Sequence, residues 1–179
     1  RVRTNGSEFM VLHHFTGATN GVTEDGRRGW GGVTLASDGV LYGATTRGGS
    51  NNNGTLSKLN LDGSGYAVLR RFGETAEDGS VPPSPLIEGR DGALYGTTYF
   101  GGASNVGTVF KINKDGSGYA ILHSFDGTDG DFPAAGVIEG RDGMLYGTTL
   151  DGSDGQLHSG SVFKLSKDGS VFSVIAASG

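Results

Sequence analysis

DGVLYGATT at residues 38–46 returns as DGALYGTT at 91–98 and as DGMLYGTT at 142–149, so the starts lie 53 and 51 residues apart. A period of about 50 residues is the mark of a repeat architecture and decides the fold before any single element is assigned. A second marker keeps step with the first: NGSEF at 5–9, DGSGY at 62–66, DGSGY at 115–119 and DGSVF at 168–172. Between them stand GTLSKL at 54–59, GTVFKI at 107–112 and GSVFKL at 160–165. VLHHF, VLRRF, ILHSF and VIAAS follow the second marker. Each unit therefore repeats four short segments rich in β-branched and aromatic residues and bounded by Asp-Gly, Asn-Gly or Gly-Gly, which are strand and hairpin signals.

One unit reads as strand one at Pro85–Glu88, strand two at Ala93–Thr98, strand three at Gly107–Asn113 and strand four at Tyr119–Phe125. Four antiparallel strands in 51–53 residues predict a β-propeller blade, since a solenoid coil usually needs only about 20–30 residues. The chain divides into a half blade at 1–16 and blades at 30–72, 85–125 and 135–177, a single array of about three and a half blades. A closed ring usually takes about four to eight. Missing blades or another chain are thus expected to complete it, and two copies would supply about seven.

Composition agrees with this reading and removes other classes. The 179 residues include 35 Gly and no Cys, and 14 basic against 19 acidic side chains leave a net charge of −5. Twelve Asp-Gly pairs account for much of the glycine as turn chemistry. Without a G-X-Y period the chain is not collagen, and without Cys it has neither disulfides nor thiolate-bound metal. Mild acidity and the lack of a basic run argue against a nucleic-acid partner. No stretch has the length and apolarity of a membrane helix, and no signal-peptide pattern stands at Arg1. Gly43, Gly96 and Gly147 sit inside strand two, where glycine weakens a strand unless something must come close, and they read as packing positions.

These motifs resemble the GloVer-type tandem repeat of bacterial surface proteins. The resemblance rests on the D-G-x-L-Y-G-T-T strand, the G-G-x-x-N-x-G-T-V-F-K hairpin, the D-G-S-G-Y turn and a closing S-F-x-G with downstream Pro. It is fullest over 91–133. The first unit departs by carrying Trp30 near the expected Pro and Leu56 in its hairpin. The third departs by a longer loop, Asp151 to Ser159. The resemblance implies an exported, repeat-built bacterial protein at the cell surface and no established reaction.

Chemistry-bearing residues are few. His13 aligns with Arg70, His123 and Ala176, and an exposed strand face explains such tolerance better than catalysis does. His158 has no counterpart and lies in the inserted loop beside Asp151 and Asp154. Asp126, Asp129 and Asp131 gather oxygen ligands in one loop and are a candidate Ca²⁺ site, although their spacing departs from the D-x-D-x-D-G pattern. The acidic loops joining the blades are expected on one rim and the Gly-Asn hairpins on another surface. On those hairpins Asn52, Asn53 and Asn105, with His158 and the aromatic pair Tyr99 and Phe100, are candidate residues for binding a glycan or a protein. No catalytic residue is assigned and no cofactor besides the candidate Ca²⁺. The expectation is a non-enzymatic β-propeller module serving as a structural or interaction surface. The alternative is a glycosidase or lyase using rim carboxylates.

Overall fold

The computed structural model describes residues 7–15, 25–29, 31–152 and 160–177. Three four-stranded antiparallel sheets follow one another, one per repeat. The first runs β1 (Val33–Leu35), β2 (Val40–Thr45), β3 (Thr55–Asn60) and β4 (Ala67–Arg71) in chain order. After the short β5 (Gly79–Ser80), the second takes β6 (Ile87–Glu88), β7 (Leu94–Thr98), β9 (Thr108–Ile112) and β10 (Ala120–Ser124). Its hairpin carries β8 (Phe100–Gly101), which pairs with β5. The third takes β11 (Ile138–Glu139), β12 (Leu145–Thr148), β13 (Ser161–Leu165) and β14 (Phe172–Ala177). No helix occurs among the described residues.

The repeat carries its register with it. Leu41 pairs Leu59 and Gly43 pairs Ser57 in the first sheet. Leu94 pairs Ile112 and Gly96 pairs Phe110 in the second, and Leu145 pairs Leu165 and Gly147 pairs Phe163 in the third. Alternation puts these pairs on the sheet face turned toward the preceding unit. One core joins Tyr42, Leu56 and Phe72 of the first unit to Leu86, Leu94, Phe110 and Ile112 of the second. The other joins Tyr95, Val109 and Phe125 to Val137, Leu145, Phe163 and Leu165. Gly96 and Gly147 are the packing positions expected: a Cβ on Gly96 would stand 2.7 Å from the Phe110 ring, and one on Gly147 would overlap the Phe163 ring.

Polar clamps reinforce both junctions. A shift in register between the third and fourth strands, at Leu56/Ser57 and at Ile121/His123, is a bulge that re-aims the strand-four base. Arg70 lies 3.9 Å over the Tyr119 ring of the next unit and reaches Asp78 at 2.7 Å. His123 stacks on Phe172 at 3.6 Å and meets Asp129 at 2.7 Å. On the opposite end of the sheets, Lys114 bonds Glu88 at 2.5 Å and approaches Asp38 of the first unit. Lys167 bonds Glu139 at 2.7 Å and approaches Asp91 of the second.

Residues 7–15 carry no assigned strand, yet they occupy a fourth strand's place against the first sheet. The Gly63 turn lies against the Leu12 carbonyl as the Gly116 turn lies against that of Leu69. His13 stacks on Tyr66 at 3.7 Å and faces Asp25 at 3.5 Å, a third copy of the clamp. Among the described residues no ladder or core joins the third sheet to the first, so no closed ring is formed.

Candidate functional site

The loops between units and the hairpins within them meet on a single face, which corrects the expectation of two separate surfaces. The β5–β8 ladder is the meeting point in the second unit, and the same pairing recurs as single bridges, Arg27 with Arg47 and Asp131 with Asp151. A buried threonine explains the constancy. In each Tyr-Gly-x-Thr strand the hydroxyl of Thr45, Thr98 or Thr149 donates to the carbonyl of Arg47, Phe100 or Asp151 two residues on, at 2.8, 2.9 and 2.8 Å. That bond holds the start of the hairpin against the incoming loop.

At one equivalent position in the loop before each unit, a residue other than glycine has left-handed backbone: Arg28 (φ 58°), Val81 (φ 57°) and Phe132 (φ 50°). For a β-branched residue such as Val81 this conformation is costly and persists only where the surroundings over-determine it. They do so here. The Val81 and Phe132 amides donate to the Asn53 and Val106 carbonyls of the preceding hairpin, both at 2.8 Å. The carbonyls of Arg28, Val81 and Phe132 accept from the amides of Thr46, Tyr99 and Leu150.

A scaffold this uniform presents different side chains in each unit. The first offers Arg27, Arg28 and Arg47, the second Tyr99 and Phe100, and the third Asp131, Phe132 and Asp151. Tyr99 stacks on Phe132 at 5.1 Å, and Phe100 meets both edge-on at 4.8 and 5.7 Å, so the aromatic cluster bridges two units. Beside it a cavity of about 230 Å³ lies between the first two units, walled by Arg28, Arg47, Val81, Pro83, Tyr99 and Phe100. Next to the cluster, burial and then the nearby Asp151 carboxylate raise the pKa of Asp131. One oxygen of Asp131 is buried without a hydrogen-bond partner. The face thus grades from basic through aromatic to acidic.

Of the residues singled out in the sequence, Tyr99 and Phe100 lie at the centre of this face. Asn52 (φ 56°) and Asn105 (φ 58°) are hairpin residues whose side-chain oxygens accept from the Gly48 and Gly101 amides at 3.1 and 3.0 Å. Asn53 is half-buried and lies against Gly73. His158 lies outside the described residues. Asp126 caps its own turn through Thr128 at 2.8 and 2.6 Å, and Asp129 turns toward His123. Asp131 lies across the ladder from Asp151, so the structure does not bring the three carboxylates together. Among the described residues no group of three or more His, Asp or Glu side chains is placed to hold a metal ion.

The structure also corrects two other readings. His13 and His123 do not lie on an exposed face; both are stacked between units. Asp78, expected on an acidic rim, is buried and accepts from Arg70, Tyr119 and the Gly73 and Glu74 amides. Arg28, Arg47 and Phe132 escaped sequence reasoning, although their positions beside Asp-Gly and Thr-Thr recur at fixed places in each unit.

Among solved structures, the fold is similar to a chain of a nidogen–laminin complex, with TM-score 0.54 and 14% identity over 80% of this chain and 46% of that one. It is equally similar to a candidate gluconolactonase, with TM-score 0.54 and 17% identity over 82% and 48%. The chain spans about half the length of either, and at these identities the likeness establishes a β-propeller-like fold. No curated protein sequence matches it. A single repeat model accounts for residues 1–178 from end to end, and the chain belongs to the Gloeobacter/Verrucomicrobia repeat family.

Proposed function

We propose that the chain is a non-enzymatic β-propeller module whose loop face binds a glycan, within an exported bacterial protein. The observation that carries this reading is the Tyr99–Phe100–Phe132 cluster beside the Arg28 and Arg47 cavity, on the one face where all three units present variable side chains. Aromatic rings offer a flat apolar surface to the C–H face of a sugar. The paired arginines add a fork that suits a carboxylate, which favours an acidic sugar. The resemblance to the repeats of bacterial surface proteins is what supports the export and surface part of this reading. Further blades, or a second copy, complete the ring.

The test is a titration of the purified chain with uronic-acid and neutral oligosaccharides, followed by calorimetry. Tyr99→Ala and Arg47→Ala should each weaken binding of the acidic series by about tenfold, roughly 1.4 kcal/mol. Neutral and acidic sugars binding equally to the wild type and both variants would reject the site.

The Asp131–Asp151 pairing favours a second reading, a polysaccharide-active enzyme with a raised-pKa acid near a second carboxylate. Turnover of an acidic polysaccharide that is lost in Asp131→Asn, with glycan binding retained, would establish it over the binding module.

A further inference from the structure

We propose that the first unit holds a second, separate site: a cavity for a flat aromatic small molecule, opened by Ser57. The other two units show what the space is shaped for. In each, a strand-two glycine faces a strand-three phenylalanine across the ladder, and the ring lies over the glycine: Phe110 over Gly96, Phe163 over Gly147. The first unit keeps the glycine, Gly43, but its ladder partner is Ser57. A Cβ built on Gly43 meets only Val33 at 3.1 Å and the Gly32 carbonyl at 3.5 Å, with no ring above it.

The vacated space is a cavity of about 190 Å³, with Gly43 and Ser57 in its floor and Phe15, Val33, Leu41, Leu59 and Tyr66 among its walls. Apolar cavities of about 150 Å³ stay dry and take up benzene-sized molecules, so this one has room for one ring with a substituent or for two fused rings. Ser57 adds direction. It is buried, and its hydroxyl makes a long 3.5 Å bond to the Gly43 carbonyl and a hydrogen bond with the Tyr66 hydroxyl, which leaves it lone-pair capacity to accept from a ring-borne N–H or O–H. The ligand class is therefore a neutral aromatic with one polar edge, for which indole and phenol are probes.

Indole and phenol are titrated into the whole chain, followed by amide chemical shifts and thermal melting. Saturable shifts at Gly43, Ser57 and Leu59, and a melting temperature that rises with ligand, are expected of the wild type. Ser57→Phe restores the ring, and it should melt higher by about 2–4 °C and lose binding by about tenfold or more. Should Ser57→Phe not fold, Ser57→Leu fills the same space and takes its place. Leu61→Ser, on the open apolar face beyond the cavity, should bind as the wild type does. Absence of binding, undiminished binding in a folded filled variant, a filled variant that melts lower than the wild type, or loss of binding in Leu61→Ser would each overturn the proposal.

Discussion

Asp78 shows how much one residue carries between units. Its carboxylate is buried and accepts from the Arg70 guanidinium, the Tyr119 hydroxyl and two backbone amides. Removing one partner of such a pair strands the other's charge. Asp78→Ala should therefore cost about 3–5 kcal/mol by urea denaturation. Exposed Glu74→Ala should stay within about 0.5 kcal/mol. A second carboxylate sets the acid limit. The Lys114 ammonium and then the Ser37 hydroxyl and amide hold Glu88 down from its ordinary 4.5 to about 2. Because the folded state binds that proton less readily, the stabilisation is full above pH 4.5 and is lost as pH falls toward 2. A stability–pH curve of Glu88→Gln should be flatter in that window than the wild type, and parallel curves would contradict the assignment. The sequence shows that the strand-four base position tolerates His, Arg and Ala. It does not show why, because the ring stacked on Arg70 arrives from 49 residues away and the base is tied to a loop carboxylate.

At the scale of elements, sequence and structure agree closely, and the reason is local. Asp-Gly turns and alternating apolar residues lie within a few positions of the strands they define, so the expected Ala93–Thr98 is observed as Leu94–Thr98 and Gly107–Asn113 as Thr108–Ile112. The loop face was less accessible to the same reasoning. Its ladder joins Ser80 to Phe100 through backbone bonds, and nothing in side-chain pattern announces that a loop and a hairpin will pair. The strand-two glycines allow a three-way comparison inside one molecule. Gly96→Ala and Gly147→Ala press a methyl into a buried ring and should cost about 1–3 kcal/mol each. Gly43→Ala meets a Val33 methyl at 3.1 Å and the Gly32 carbonyl at an ordinary 3.5 Å, with no ring, and should cost clearly less. Equal losses at all three positions, measured by calorimetric melting, would contradict the ring-over-glycine packing.

For the whole molecule, the face toward a preceding unit is the telling surface. Val33 is 64% exposed, whereas its counterparts Leu86 and Val137 are 3% and 2% exposed beneath the unit before them. Phe9, counterpart of the clamped Tyr66 and Tyr119, is 77% exposed. Leu35 and Leu61 stand where the later units have the Glu88–Lys114 and Glu139–Lys167 pairs, and both are exposed. This surface has the composition of a blade junction without its neighbour, and the chain alone should self-associate as concentration rises. Native mass measured across a dilution series checks this, and Val33→Asp should shift the chain toward monomer with little change in melting temperature.

The clamps have a consequence for how such proteins change over generations. Each clamp and each lysine bridge joins a unit only to the next one along, never to the one after. A gene that loses the second unit by unequal recombination would therefore remake one junction of the same kind, since the first unit keeps Arg70 and Asp38 and the third brings Phe172 and Lys167. Array length is free to drift while those side chains of the loop face that no junction uses diversify unit by unit.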